Sequence, residues 1–304
     1  MNKKNYVIDF INYHFTKLKR KLVISFTQLV LMFYKRKLPS ELVSIMNKNR
    51  DHLRTVNEFL PGGEYDDEYN NYGIQNYIYL NLKKEIDLFP TYTDILVLLL
   101  SEFKLRNIKY LEIGTSVFKN FQQIENSLED SILYGYDMND LISTIKNRYN
   151  LKSKIDRDSK QEYFYSKERN EIFYFKNNVL SQEGGEIFRN LLDEKINVVF
   201  SDALHSEEGI LSEYNNLIKG NLSNHFIYYF DDLNMYDVQK GVEKVFKDLK
   251  SSNNNVKFYS FWSYGWIGQY EKLHKIGLIT TLDIASTFKK KKISLPLFKE
   301  ITNV

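Results

Sequence analysis

Cysteine is absent from the 304 residues. Disulfides, cysteine nucleophiles and thiolate metal sites are therefore excluded, and the chain suits a reducing, cytoplasmic compartment. Long apolar runs are also missing. The best candidate, Leu22 to Tyr34, is about 13 residues long and is broken by Ser25, Thr27 and Gln28, whereas a membrane-spanning helix needs roughly 20. Lys17, Lys19, Arg20 and Lys21 precede it, Lys35, Arg36 and Lys37 follow it, and it has no small-residue cleavage site. Neither a signal peptide nor a membrane span is expected. The expectation is an amphipathic helix packed on the domain or on a second copy of the chain, with a helix lying on a membrane surface as the alternative. No internal repeat is visible. The dinucleotide fingerprint G-x-G-x-x-G is missing too: in the stretch that most resembles it, Gly114 is present but Ser116 and Lys119 hold the other two places. A pyrophosphate seated against a helix start is not expected there.

What is present reads as globular. Hydrophobic residues make up 43% and charged residues 27%, and 23 Tyr with 21 Phe imply a core rich in rings. The net charge of +3 conceals an asymmetry, because residues 1–50 carry 11 Lys/Arg against 2 Asp/Glu. A basic arm precedes a mildly acidic body, and such an arm suits an anionic membrane surface, a nucleic acid or an acidic glycan. Pro39-Ser40-Glu41 reads as a helix start, residues 61–73 as a loop that either closes over a substrate or simply connects, and Pro90 to Asp94 as a helix entry with Thr91 or Thr93 as cap. From Ile108 onward strands and helices alternate. Strands are expected at 108–113, 131–136, 171–175, 196–200 and 225–230. Helices are expected at 117–129, 140–150, 184–195, 207–219 and 236–249, and residues 151–170 are charged and poorly patterned. Two late strands, 256–262 and 275–282, follow without a full helix between them. This order predicts an α/β fold: a Rossmann-like doubly wound sheet, mostly parallel with an antiparallel edge strand, plus a helical N-terminal extension. The expected division is an extension and loop over 1–88, the main domain over 89–282 and a C-terminal tail over 283–304, with Lys289 to Lys292 as a surface charge run.

The stretch Leu111-Glu112-Ile113-Gly114-Thr115-Ser116 puts a tight turn at the carboxyl end of a buried strand, where open α/β sheets bind ligands. Gly114 lets a ligand approach the main chain, and Glu112 suits a cationic one. This string resembles the first motif of the Rossmann-like S-adenosylmethionine-dependent methyltransferases. Leu133-Tyr134-Gly135-Tyr136-Asp137 follows at the distance that family uses, with Asp137 placed to accept from both ribose hydroxyls. The block Val198-Val199-Phe200-Ser201-Asp202-Ala203-Leu204-His205, followed by Ile227-Tyr228-Tyr229-Phe230-Asp231-Asp232, is similar to the metal-dependent sugar and small-molecule O-methyltransferases. The resemblance spans about residues 90–282. It implies S-adenosylmethionine held by Glu112, Gly114, Thr115, Ser116, Asp137, Asn178 and Asp202, with Asn177 also in the adenine region. It further implies a divalent metal, Mg²⁺ by preference, at Asp202, Asp231 and Asp232, with Asp202 and His205 as the catalytic pair and His205 as the base.

Elementary chemistry points the same way. Strands four and five would be neighbours, so Asp202 converges with Asp231 and Asp232, and three close carboxylates repel unless a cation or protons intervene. Oxygen ligands suit Mg²⁺, Mn²⁺ or Ca²⁺ rather than zinc. Plainer roles stand beside these. Asp232 could cap the next helix, Glu207 and Glu208 could complement a helix N-terminus, and His205 could be a hydrogen-bonded loop histidine. The segment Tyr264 to His274 offers rings for stacking on a sugar or ordinary edge packing, with His274 as a second acid/base candidate.

Three functions follow. The first is O-methyl transfer to a sugar, glycan or small hydroxyl compound. The second is a methyltransferase-shaped binding or structural protein without turnover, motivated by Val117 and Phe118 where small residues are common. The third, an RNA methyltransferase, is opposed by the lack of an Asn/Asp-Pro-Pro-Tyr/Phe motif, of a placeable Lys-Asp-Lys-Glu set and of a basic patch in the main domain. Expected partners are a small-molecule or glycan acceptor, a homodimer mate through the N-terminal helices and a peripheral membrane surface.

Overall fold

The computed structural model describes residues 38–57, 90–116, 118–156, 162–264 and 273–302. The helix read at Leu22 to Tyr34, the loop at 61–73, Val117 and most of the segment between Tyr264 and His274 lie outside these residues. Helix α1 (Ser40–Asn57) starts beside Pro39, as its sequence implies. Thr91 caps α2 (Tyr92–Leu100) through a capping box with Asp94. Every residue of α2 is buried, which explains its unbroken apolar run, Ile95 to Leu100. A 3₁₀ turn, Ser101–Phe103, leads to β1 (Lys109–Ile113).

The chain then alternates: α3 (Lys119–Ser127), β2 (Ile132–Asp137) and α4 (Ser143–Arg148). Next come β3 (Lys152–Ile155), β4 (Glu162–Lys167), β5 (Glu171–Lys176) and α5 (Gln182–Asn190). β6 (Ile196–Ser201) is followed by α6 (Glu207–Glu213), which widens into a π-helical stretch, Tyr214–Ile218. β7 (Leu222–Phe230), α7 (Tyr236–Ser252), β8 (Lys257–Tyr264), β9 (Leu273–Thr280), α8 (Ile284–Lys291) and β10 (Lys299–Glu300) complete it.

One ten-stranded sheet runs β10-β8-β9-β7-β6-β1-β2-β5-β4-β3. The five strands β5, β2, β1, β6 and β7 are parallel. β9 is antiparallel to both β7 and β8. This is the doubly wound, mostly parallel arrangement that the alternation implies, with antiparallel strands towards both rims, β10 against β8 and β3 against β4. The strand order reverses between β1 and β6, and ligands of open α/β sheets bind at the carboxyl ends of such a switch point.

Alternate residues feed two cores. On one face Tyr110, Phe200 and Tyr229 pack under α1, α2, α3 and α8. On the other, Ile113, Val199 and Tyr228 pack under α5, α6 and α7.

Four expectations change. Residues 151–170 form β3 and β4, an antiparallel hairpin that extends the sheet beyond β5; β3 is exposed along its length, so no buried periodicity marks it. The helix expected at 184–195 runs instead from Gln182 to Asn190, because Ser181 caps it by accepting from Gly184 N. The segment read as a C-terminal tail contributes α8, which buries Ile284 and Phe288, and β10, which pairs with β8. Its lysine run is partly engaged, since Lys291 Nζ lies 2.7 Å from Glu41. Lastly, α1 belongs to the domain's core: Leu42 and Met46 are buried in it. Among the described residues no helix is long and apolar enough to cross a membrane.

A buried ion pair fastens α1 to α2. Arg50 Nη1 and Asn49 Nδ2 donate to Asp94 Oδ1 at 2.6 and 2.7 Å, while Thr91 N donates to Oδ2 at 2.8 Å. Asp94→Ala leaves the Arg50 charge buried without its carboxylate and is expected to cost about 3–5 kcal/mol. Urea denaturation should show a lower midpoint at an unchanged slope, and adding Arg50→Met should restore part of the loss.

Candidate active site

Four main-chain hydrogen bonds build the carboxyl edge of the sheet. Gly114 N donates to Tyr136 O, Asp202 N to Ile113 O, Asn177 N to Asp137 O and Asp231 N to Ser201 O, at 2.8–3.1 Å. Each strand thus positions the first loop residues of its neighbour. Gly114 has φ +83°, and a Cβ there would lie 2.2 Å from Asp202 O. The glycine is therefore needed for the turn and for the close approach of the Asp202 main chain. The space beside it, read from the sequence as room for a ligand, is filled by that backbone.

Beside this turn lies a cavity of about 710 Å³, within the range of small-molecule sites. Gly114, Ser116, Asp137, Asn177, Asn178 and Asp202 line it, so most of the residues assigned to the cofactor from the sequence meet at one cleft. Asp137 Oδ2 accepts from Ser116 N at 2.9 Å, and Oδ1 accepts from Asn139 N at 2.9 Å. The bond from Ser116 holds a tight turn in which Ser116 itself has φ +47°. Asn178 Oδ1 accepts from Leu180 N and Asn177 Oδ1 from Asn178 N, which fixes the loop after β5. Met138, Leu180 and Leu204 present exposed apolar side chains on the cavity wall.

Glu112 and Thr115 do not line the cleft. Glu112 is buried, and its Oε2 accepts from Tyr110 Oη at 2.5 Å and from Asn120 Nδ2 at 2.8 Å. Burial pushes its carboxyl up to about 8 against those bonds. It is a core group under the turn, not a wall of the cleft. Thr115 is buried and its hydroxyl has no partner. Phe118 stacks on Phe121 at 4.2 Å and meets Tyr174 edge-on, deep in the core under α3. A bulky residue at 118 does not narrow the cleft.

Asp202 reaches from the cleft towards a second cluster. His205 Nε2 lies 3.2 Å from Asp202 Oδ1 and 3.6 Å from Asp232 Oδ2. The bond to Asp202 and the charges of the three aspartates raise the His205 pKa, although partial burial opposes them. His274, on β9, is the member that the strand pattern obscured. Its Nδ1 lies 2.8 Å from Asp231 Oδ1 and 3.1 Å from Asp232 Oδ1. Burial acts to lower its pKa, but the two carboxylates outweigh it and raise the value to about 10. Asp231 is buried and pushed up to about 6, with its bond to His274 acting the other way. Asp232 has φ +51° and does not cap the next helix, whose N-cap is Met235 with no side-chain bond. Glu207 does what surface chemistry implies, pairing with Lys240 and Lys244.

Among the described residues, Asp231, Asp232 and His274 form a group whose ligand atoms lie within 4.8 Å of one another. Adjacent ligands at about 2.1 Å from a six-coordinate ion stand about 3.0 Å apart, and the separations of 2.8 and 3.1 Å from His274 Nδ1 are close to that value as well as to hydrogen-bond length. The donor set therefore fits a divalent cation. It differs from the expected three carboxylates in taking His274 into the group, while the Asp202 carboxylate faces His205. Imidazole with two carboxylates also widens the range of suitable ions beyond Mg²⁺ to metals such as Mn²⁺.

No family model matches the chain, and no curated protein matches it. Solved structures do. The O-methyltransferase TomG of Streptomyces achromogenes, in complex with SAM, is 12% identical over 77% of this chain and 96% of its own, with a TM-score of 0.43. An O-methyltransferase from Bacillus cereus in complex with SAH is 13% identical over 76% and 90%, at 0.45. Magnesium protoporphyrin IX methyltransferase of Synechocystis PCC 6803, with bound SAM, is 13% identical over 76% and 97%, at 0.44.

The raised His274 pKa has a stability consequence with a definite sign. A histidine whose folded pKa lies above its unfolded 6.5 stabilises fully below 6.5, and that contribution is lost as pH rises through about 10. In chelator-treated protein, wild type should exceed His274→Gln by about 2–4 kcal/mol at the lower limit. Urea denaturation should show this advantage shrinking towards nothing at the upper one.

Proposed function

We propose that the chain transfers a methyl group from S-adenosylmethionine to a hydroxyl oxygen of a sugar, glycan or other small molecule. The observation that carries this reading is the meeting of Asp137, Asn177 and Asn178 around one cleft at the switch point, with Asp202 joining that cleft to His205. Asp137 accepts from Ser116 N, Asn139 N and Asn139 Nδ2, which leaves room for one ribose hydroxyl, and for a second where the 3.2 Å bond from Asn139 Nδ2 gives way. The amides of Asn177 and Asn178, on the cavity wall, would meet an adenine edge, and Met138, Leu180 and Leu204 would cover its faces. A ligand without phosphate also agrees with a turn that has Ser116 and Lys119 where a dinucleotide site has glycines.

In the transfer the acceptor oxygen forms a bond to the methyl carbon as the sulfur–carbon bond breaks. The electron pair of that bond stays on sulfur, giving the neutral thioether of S-adenosylhomocysteine, and the hydroxyl proton passes to His205. Asp202 orients His205 through the 3.2 Å contact and stabilises the imidazolium that results. The rest of the rate comes from holding the acceptor in line with the methyl group. Asp231, Asp232 and His274 would hold a divalent ion, whose charge makes a neighbouring hydroxyl more acidic.

Calorimetric titration with S-adenosylhomocysteine tests the first half of this reading. Micromolar binding to wild type and its loss in Asp137→Ala are expected; absence of binding with Mg²⁺, with Mn²⁺ and without metal would leave a scaffold without turnover. The second half concerns pH. His205 must be neutral to take a proton, and its pKa is raised, so kcat on a hydroxylated acceptor should climb through a limb centred above 6.5. His205→Gln should lose that limb and lower kcat by about 10²–10⁴.

A further inference from the structure

A second cavity, of about 350 Å³, opens at the other end of the sheet. It lies where β5 begins and where α3 and α4 end, so the sheet's full length separates it from the cleft at Gly114. His52 of α1, Glu125 of α3, Arg148 at the end of α4, Tyr149 after it, Glu168 and Arg169 are among its lining residues.

Part of this wall is structural frame. Arg169 Nη2 donates to Glu125 O at 2.7 Å and to Glu125 Oε1 at 3.1 Å. Asn170 Nδ2 donates to Leu128 O and to Glu125 Oε1, and its Oδ1 accepts from Ser131 N. Two of the carbonyls at the end of α3, which would repel an anion, are thus already taken.

The groups left over include three donors beside the Glu168 carboxylate. Tyr149 is nine-tenths buried and its hydroxyl has no hydrogen-bond partner; His52 Nε2 is buried and equally without one. Among the described residues Arg148 has no ion pair, and its guanidinium lies 6.0 Å from the Tyr149 ring centre. A planar cationic fork, a phenol and an imidazole N–H face one space, and all three donate to an acceptor-rich group. Cations dominate on the His52 side, whereas Glu125 is the charge that acts most strongly on Tyr149. Burial lowers the His52 pKa to about 4, and the charges of Arg148, Arg169 and Lys48 push in the same direction. Buried polar atoms are nearly always satisfied, so two orphans in one cavity need an explanation.

We infer that this cavity is a binding site for a small oxyanion-bearing ligand, an organic phosphate or carboxylate, held by Arg148, Tyr149 and His52. Its volume sits at the small end of ligand sites, enough for a phosphorylated or polycarboxylated metabolite rather than a nucleotide polymer. Because His52 belongs to α1, an occupant would tie α1 to the β4–β5 turn and to α4. The site does not depend on the methyl-transfer reading.

Inorganic phosphate and citrate serve as the two probes, titrated into the full chain by calorimetry and, in parallel, by nuclear magnetic resonance of the histidine rings. Saturable binding of at least one probe is expected, with the His52 resonances shifting and its pKa rising as an anion enters. Phosphate binding without citrate binding assigns the phosphate class; the reverse assigns the carboxylate class. Arg148→Gln should weaken binding at least tenfold and Tyr149→Phe at least threefold. S-adenosylhomocysteine binding at the other cleft should stay unchanged. Tyr149→Phe removes a buried hydroxyl that bonds to nothing, so it should fold as well as wild type and decides the matter if Arg148→Gln does not fold. No saturable binding of either probe, or equal affinity in wild type and Tyr149→Phe with His52 unmoved, overturns the inference.

Discussion

Main-chain hydrogen bonding along the carboxyl edge of five parallel strands is the constraint from which the site follows. The carbonyls of Ile113, Tyr136, Asp137 and Ser201 accept from the next loop, and the amides that donate to them are those of Asp202, Gly114, Asn177 and Asp231. Asp202, Asn177 and Asp231, with Asn178 and Asp232 beside them, carry polar side chains of the cleft or of the aspartate cluster. The register of the sheet therefore sets the distances between the chemical groups. Gly114 is the tightest point, since only a residue without Cβ lets the Asp202 backbone pass at that separation. A side chain there would displace both the cofactor-side loop and the Asp202–His205 pair.

Negative charge is concentrated at this edge, and the fold balances it with protons and cations placed close by. Glu112 is pushed up by burial and held by Tyr110 and Asn120. Partly buried Lys119 is pushed down to about 7 by desolvation, while Asp202, Glu112 and Asp231 resist that shift. His274 remains cationic between Asp231 and Asp232. Carboxylates that would repel in a low-dielectric edge are thus kept within reach of one another. The same arrangement explains why a divalent ion and an imidazolium are chemically alternative occupants of the space between those two aspartates.

The two ends of the sheet serve different chemistry. At the carboxyl end the exposed groups include acceptors, the carboxylates and amides of the cleft. At the amino end, Arg148, Tyr149 and His52 share a cavity with Glu125 and Glu168, and the Tyr149 hydroxyl and His52 Nε2 have no hydrogen-bond partner. Helix α1 connects that end to the core through Arg50 and Asp94, whose pairing is buried on both sides. An N-terminal segment that looks like an appendage by composition contributes, through α1, part of the wall of a cavity and part of the core.

The alternation of short apolar runs with amphipathic stretches determined the doubly wound sheet, because strand and helix periods are local properties of the chain. It also determined the places of Asp137, Asp202, Asp231 and Asp232, since each acid ends a strand and strand ends of a parallel sheet share one edge. Tertiary structure decided the rest. Nothing local shows that Glu112 turns into the core, because alternation along β1 gives its face but not the Tyr110 and Asn120 groups waiting there. His274 joins Asp231 and Asp232 only because β9 runs antiparallel beside β7, a pairing between residues 43 apart. The β3–β4 hairpin was illegible because an exposed edge strand buries too little to impose a pattern. The donor-lined cavity was illegible for the same underlying reason: His52, Tyr149 and Arg169 lie on separate elements, and only packing brings them to one space.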